Sequence, residues 1–344
     1  MAEDITRSSR YRAAVAALDD TAALARLAHD AKRVTASSAP CALALAGGRR
    51  LHAARRVGVF AGSFNPLTRA HVTLVNAALR SARLDVVIWA CAAISVDKER
   101  VERAALVDRL AQMRAFVAGR RCDAVALLNR GLYVDEARTI RTLLAPAAEL
   151  TLLVGYDKIV QIFDPKYYED RDAALRELFA LARLLVAPRE DADAETLAAL
   201  LAQPENRPFA AHVSYLDAPR AWLRDSSTEA RALAAETSPD VDALARLLPP
   251  AGLALALATG AYRPETDAAS ATNRTAASYE MRTRWLDALA TIPLPTTRRL
   301  PPLTTLTRAA LANDGRGRGL RAWLAGPARN GDALLELLPS QASR

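Results

Sequence analysis

From Arg56 onward, short apolar runs alternate with longer stretches whose apolar positions recur every three or four residues. The runs Val57–Phe60, Asp85–Cys91, Ala124–Leu128, Leu150–Val154, Arg183–Ala187 and His212–Leu216 are strand candidates, and Val57, Val59 and Phe60 are β-formers with no charge among them, as a strand covered on both faces requires. Between them Ala70–Ala82, Arg100–Ala118, Glu136–Leu144, Lys158–Phe163 and Ala173–Ala182 read as helices, with Ala194–Leu201 after the fifth strand. This alternation predicts an α/β fold, a doubly wound parallel sheet with helices on both faces. Ligands in such sheets bind beyond the carboxyl ends of the strands, at the switch point. Upstream, Tyr11–Lys32 reads as one helical segment with Val15, Leu18, Leu24 and Leu27 on its apolar stripe. Thr35–Pro40 is a polar break, Cys41–Ala46 a short strand candidate, and Gly47–Arg50 a turn.

Three places carry candidate chemistry. The first strand runs into Gly62-Ser63-Phe64-Asn65-Pro66-Leu67-Thr68-Arg69-Ala70-His71 and then a helix with Val72, Val75 and Leu79 on one face. Glycine permits a sharp turn and close approach to a ligand. A strand that turns through glycine into a helix aims backbone N–H groups at one point, which attracts anions and phosphate above all. Thr68 and His71, three positions apart, share a face at the mouth of this cradle. The second place is Asp225-Ser226-Ser227-Thr228-Glu229-Ala230-Arg231, where Ser226 and Glu229 have capping-box spacing. A helix start, hydroxyls and one arginine there make either a second anion site or an ordinary capped surface helix. The third is Leu152-Leu153-Val154-Gly155-Tyr156-Asp157, a strand, a glycine and an acid. Asp157 is either a group near a nucleotide or a helix cap. Lys98 follows the second strand on the same rim, as a phosphate contact or a solvated lysine, and Trp89 reads as core.

The +8 formal charge invites nucleic acid as a partner, but it is spread along the chain. Only four lysines occur, arginine and alanine dominate throughout, and no basic run is interleaved with aromatics, so nucleic acid is not expected. Cys41, Cys91 and Cys122 lie far apart, without disulfide or zinc spacing, and fit a reducing compartment. The expected setting is the cytoplasm, with the nucleus as alternative. The N-terminus lacks signal-peptide character, and Leu253–Ala258 is too short to span a bilayer, so no membrane partner is expected.

The ten residues Gly62–His71 resemble the His/Thr-x-x-His signature of the nucleotidylyltransferase superfamily. Their Gly-Ser-Phe-Asn-Pro-x-Thr-x-x-His form is similar to eukaryotic-type nicotinamide mononucleotide adenylyltransferases. Ser226-Ser227-Thr228-x-x-Arg231 resembles that family's second signature, with Asp225 where an apolar residue is usual, and Gly155-Tyr156-Asp157 resembles its Gly-x-Asp element. Ile162–Tyr168 is similar to fungal and plant adenylyltransferase-like proteins, Arg189 to a family arginine after the fifth strand, and Pro249–Tyr262 to the family's closing segment. The resemblance implies a Rossmann-like fold and adenylyl transfer from ATP, with magnesium, to nicotinamide or nicotinate mononucleotide. It implies His71, Thr68 and Arg231 as catalytic residues. It places Gly62, Ser63, Phe64, Gly155, Asp157, Ser226, Ser227, Thr228 and Lys98 against the nucleotide, with few or no direct protein ligands to the metal.

Two alternatives stay open: another acceptor, such as phosphopantetheine, or CTP as donor; and a nucleotide-binding regulator without turnover. Ala70 and Asp225 keep the regulator alive, while Thr68, His71 and Arg231 speak against it. The expected organisation is an N-terminal helical extension over 1–54, the nucleotidylyltransferase domain over 55–263, and a C-terminal extension over 264–344. The last is expected to be partly helical, as at Tyr279–Thr291, and partly irregular, because prolines and glycines gather between Pro293 and Gly319. A homo-oligomer is left open.

Overall fold

The computed structural model describes residues 5–93, 104–129, 133–188, 193–218, 226–263, 271–326 and 329–338, with only the backbone over 271–277. Its strands are β1 (Ala42–Ala46), β2 (Arg56–Gly62), β3 (Val86–Ala92), β4 (Asp123–Leu128), β5 (Glu149–Gly155), β6 (Arg183–Ala187) and β7 (Val213–Tyr215). Helices α1 (Ser9–Ala17), α2 (Thr21–Thr35) and α3 (Gly48–Ala53) precede β2. Within the α/β region come α4 (Arg69–Ser81), α5 (Leu106–Val117), α6 (Tyr133–Arg141), α7 (Tyr156–Phe163), α8 (Arg171–Leu181) and α9 (Ala194–Ala202). Helices α10 (Ser227–Ala235), α11 (Val241–Leu247) and α12 (Pro250–Ala258) follow β7. The C-terminal flank holds α13 (Ala271–Leu289), α14 (Leu294–Thr297), α15 (Leu303–Leu311), α16 (Gly315–Ala325) and α17 (Gly331–Glu336).

The seven strands form one sheet in the order β1-β4-β3-β2-β5-β6-β7. Six are parallel, and β1 closes one edge antiparallel to β4. All six strands expected in the α/β region are present, in the order of a Rossmann-like doubly wound sheet. Strand order reverses beside β2, which pairs with β3 on one side and β5 on the other. Side chains alternate across β3. Val87, Trp89 and Cys91 join the core on one face, and Val86, Ile88 and Ala90 that on the other. Trp89 is fully buried and its indole N–H donates to Asp123 at 2.6 Å, a core tryptophan as expected.

Helices α1 and α2 and the C-terminal flank pack onto the first of these cores, while Leu51 of α3 joins the second. The segment read as one helix from Tyr11 to Lys32 is two helices, because Asp20 accepts the Ala23 N–H at 2.9 Å and caps α2. Helix α1 lies on α12, and α2 lies on α5 and α13. The Thr21 hydroxyl donates to the Pro301 carbonyl at 2.6 Å, and His29 Nε2 meets the Ile292 carbonyl at 2.9 Å, so the two flanks also hold each other.

The span Pro293–Gly319 is mostly helical, with short irregular links at 298–302 and 312–314. Pro293 and Pro302 occupy the N-cap positions of α14 and α15, and Pro295 sits in the first turn of α14, where no N–H is needed. Gly317 is there for space: a Cβ would come within 2.1 Å of the Ala312 carbonyl oxygen. Proline here starts helices and glycine lets backbones touch, which composition cannot distinguish from a linker.

Candidate active site

The carboxyl end of β2 meets that of β5 where the strand order reverses. Phe60 pairs with Leu153, so two residues further along each strand stand Gly62 and Gly155. The chain then crosses from β2 to α4 through Ser63–Thr68, and the carbonyls of Ser63, Phe64, Asn65 and Pro66 and the Leu67 N–H are held by side chains from distant parts of the chain.

Helix α5 supplies two of the clamps. Arg109, buried, donates from Nη1 to the Ser63 carbonyl at 2.7 Å and from Nε to the Ala104 carbonyl at 3.1 Å. Gln112, also buried, donates to the Phe64 carbonyl and accepts the Leu67 N–H, both at 3.0 Å. Asn65 Oδ1 accepts the Ala104 N–H and the Tyr262 hydroxyl, both at 3.0 Å. Burial raises the Tyr262 phenol far above its ordinary range, so it stays a donor. Phe64 is held at φ +44°, a left-handed conformation costly for a side-chain-bearing residue. Its buried ring packs edge-on against Phe60, His71 and Trp89 at centroid separations of 5.6–5.9 Å, which offsets that strain.

Thr68 and His71 close a reciprocal cap on α4. The Thr68 Oγ1 accepts the His71 N–H at 3.4 Å, while the Thr68 N–H donates to His71 Nδ1 at 3.0 Å. A backbone N–H can only donate, so Nδ1 is the acceptor and the neutral ring carries its proton on Nε2. Thr68 is fully buried, with its hydroxyl 3.0 Å from His71 Nδ1. His71 is half-buried, its ring set between Phe60 and Phe64.

The second motif docks directly onto this turn. The Ser227 hydroxyl donates to the Pro66 carbonyl at 2.9 Å, and Arg231 Nη1 donates to the Asn65 carbonyl at 2.8 Å. Arg231 Nη2 reaches the Thr228 hydroxyl at 3.1 Å, and Ser226 caps α10 by accepting the Glu229 N–H at 3.0 Å. Ser226 and Thr228 are exposed, whereas the Ser227 hydroxyl has its proton engaged by protein. Thus two motifs form one structure through contacts that span 161 and 166 residues of chain.

The third motif is not capped by its acid. Gly155 is the N-cap of α7, and Asp157 sits exposed in the helix's first turn. A Cβ added at Gly155 would meet nothing within 4 Å, which leaves open space above the end of β5. Lys98, Arg189, Trp222 and Asp225 lie outside the described residues. Arg109, Gln112 and Tyr262 were not singled out from the sequence as site residues. The only local sign of the first two is a pair of polar residues, three apart, on the buried face of a helix.

Cys91 lies under the site, but it is wholly buried and burial pushes its thiol up, so it is no nucleophile. Among the described residues no cluster of three His, Cys, Asp or Glu side chains could hold a metal ion. No helix among the described residues is long and apolar enough to cross a membrane.

A doubly wound sheet whose strand order reverses at a clamped strand-to-helix turn, with a histidine beside that turn, defines a Rossmann-like α/β protein. The sequence profile of the cytidylyltransferase-like family matches residues 59–233, and the chain belongs to that family. A Laribacter hongkongensis protein named "Probable nicotinate-nucleotide adenylyltransferase" is 34% identical over 146 residues, 41% of this chain and 63% of that one. A Gloeobacter violaceus protein of the same name is 28% identical over 145 residues, 41% of this chain and 66% of that one. A Schizosaccharomyces pombe protein, provisionally named a nicotinamide mononucleotide adenylyltransferase, is 29% identical over 136 residues, 38% of this chain and 53% of that one. The chain thus spans just under two thirds of the length of the first curated relatives it matches. The solved Plasmodium falciparum nicotinic acid mononucleotide adenylyltransferase complexed with NaAD superposes with a TM-score of 0.47 at 15% identity, over 60% of this chain and 97% of that one.

Proposed function

We propose that this protein transfers an adenylyl group from ATP to nicotinamide or nicotinate mononucleotide, releasing pyrophosphate. The observation that carries the reading is the cap between Thr68 and His71, which leaves the imidazole proton on Nε2 at the mouth of a rigid phosphate turn. Relatives named for this reaction support it.

In the reaction an oxygen of the acceptor's phosphate attacks the α-phosphorus of ATP, the new P–O bond forms, and the bond to the β-phosphate oxygen breaks. The acceptor is already an anion, so the protein's task is positioning and charge stabilisation. His71 donates from Nε2 to an α-phosphate oxygen as its charge grows. Thr68 is a positioning residue, holding the His71 tautomer and ring. The backbone of Gly62, Ser63 and Phe64 faces the triphosphate. Ser226, Thr228 and Arg231 hold the β- and γ-phosphates. Ser227 latches α10 to Pro66 and contributes backbone rather than its hydroxyl proton. Gly155 lets the nucleotide lie against the end of β5, and Asp157 accepts from a ribose hydroxyl. A magnesium ion bound together with ATP would supply further charge neutralisation. Residues 55–263 form the catalytic unit, with the flanks as its braces.

The test supplies ATP and magnesium with each mononucleotide, and with phosphopantetheine as a third acceptor. Dinucleotide and pyrophosphate formed in step support the reading. Pyrophosphate with phosphopantetheine alone would reassign the acceptor, and none with any acceptor would overturn turnover.

A further inference from the structure

The turn that forms the phosphate site is held by α5, and α5 is itself held by the C-terminal flank. Arg282 of α13 donates from Nε to both oxygens of Asp108, at 3.2 and 3.1 Å, and from Nη2 to Oδ1 at 2.6 Å. Both side chains are buried, at 5% and 0% exposure, so this ion pair is shielded from solvent. The same Nη2 donates to the Leu18 carbonyl at 2.6 Å, which brings the N-terminal flank into the junction. One helical turn before Arg282, the Tyr279 hydroxyl donates to Asp108 Oδ2 at 3.0 Å and accepts the Ala105 N–H at 2.8 Å.

Two consecutive N–H groups therefore enter α5 with different partners. That of Ala104 goes to Asn65 in the phosphate turn, and that of Ala105 goes to Tyr279 in the flank. Asp108 stands next to Arg109, which clamps the Ser63 carbonyl, and one turn before Gln112, which clamps Phe64 and Leu67. An apolar contact would let α5 slide or rotate against α13. A forked, desolvated ion pair with a phenol on its second oxygen fixes both register and rotation.

We infer that Tyr279 and Arg282 are positioning residues for adenylyl transfer, setting the geometry of the 63–67 turn through Asp108 and α5. The inference rests on the proposed function for its kinetic arm alone. The C-terminal flank is then part of the catalytic machinery's frame, although it lies beyond the residues that match the family profile.

The test centres on Tyr279→Phe, which keeps the ring and removes the hydroxyl's two bonds. Arg282→Lys, which keeps charge and loses the fork, is the companion. Removing Arg282 outright would strand a buried carboxylate and confuse folding with positioning. Hydrogen exchange followed by mass spectrometry reads peptides covering residues 62–70, with peptides from β3 and β5 as internal references. Tyr279→Phe is expected to speed exchange in the turn by about tenfold while the references stay unchanged, the effect of losing bonds worth about 1.4 kcal/mol. Turnover is expected to fall about tenfold to a hundredfold with ATP affinity within about twofold of wild type, because misplacement of about 1 Å harms the transition state more than binding.

Unchanged exchange in the turn would overturn the inference, since the brace would then end at Asp108. An equal rise in turn and reference peptides would overturn it too, as general destabilisation. Faster exchange with unaltered turnover would sever the brace from the chemistry. If the wild-type protein turns over no substrate, the proposed function fails by itself, and the exchange arm still decides whether α13 sets the turn.

Discussion

Glu136 sits on α6 with 5% of its surface exposed, packed beside Ala137 and Ile140 in the second core. Burial pushes its carboxyl up from 4.5 to about 8, with the Lys158 charge pulling weakly the other way. In the unfolded chain the group ionises near 4.5, while in the folded chain it keeps its proton until about pH 8. Its favourable contribution is therefore complete below about pH 4.5 and is progressively lost as pH rises towards 8. The slope approaches about 1.4 kcal/mol per pH unit, which amounts to about 2 kcal/mol between pH 6 and pH 8 after rounding near the folded pKa. Glu136→Gln removes this titration at nearly constant shape. The assay is urea unfolding of both proteins at pH 6, 7 and 8, taking the difference at each pH so that other groups cancel. The variant should gain on wild type by about 2 kcal/mol from pH 6 to pH 8. A difference that does not change with pH would show that Glu136 is ionised and stabilised in the fold, and the burial argument would fail.

Other outcomes follow from the site. His71→Ala should lower turnover by roughly 100- to 1,000-fold with little change in ATP affinity measured by calorimetry, because one transition-state donor is lost; an unaltered turnover number removes His71 from the chemistry. Gly252 of α12 faces the phosphate turn so closely that an added Cβ would stand 2.4 Å from the Leu67 carbonyl oxygen. Gly252→Ala should therefore cost about 1–3 kcal/mol of stability and slow turnover, checked by urea midpoint and initial rate; a neutral result would refute the contact. Gly155→Ala meets open space, so its stability should stay within about 0.5 kcal/mol of wild type. ATP or acceptor affinity should nevertheless fall, and unchanged affinity for both would take Gly155 out of the ligand site.

The strands were legible because their signal is local. Val57–Phe60 and Leu150–Val154 are uncharged, largely apolar runs followed by Gly62 and Gly155, and burial on both faces requires such runs at any place in the chain. The motifs were legible for the same reason. Thr68 and His71 close their cap within one helical turn, and Ser226 caps α10 through a residue three positions on. Each is a short-range hydrogen bond whose spacing the sequence displays directly.

What the side chains do within the site was decided at long range. Gln112 meets Leu67 across 45 residues, Arg231 meets Asn65 across 166, and Arg282 meets Asp108 across 174. No periodicity encodes such pairings, because they exist only after helices from separate parts of the chain dock on one sheet. The same docking buried Thr68 and engaged the Ser227 hydroxyl, so residues that look alike in the motif have different tasks. It also gave the proline- and glycine-rich tail its helices, since Gly317 is needed by a backbone contact and Pro302 by a helix start. Local patterns set the sheet and the turn at its switch point; packing of the flanks decided what holds that turn still.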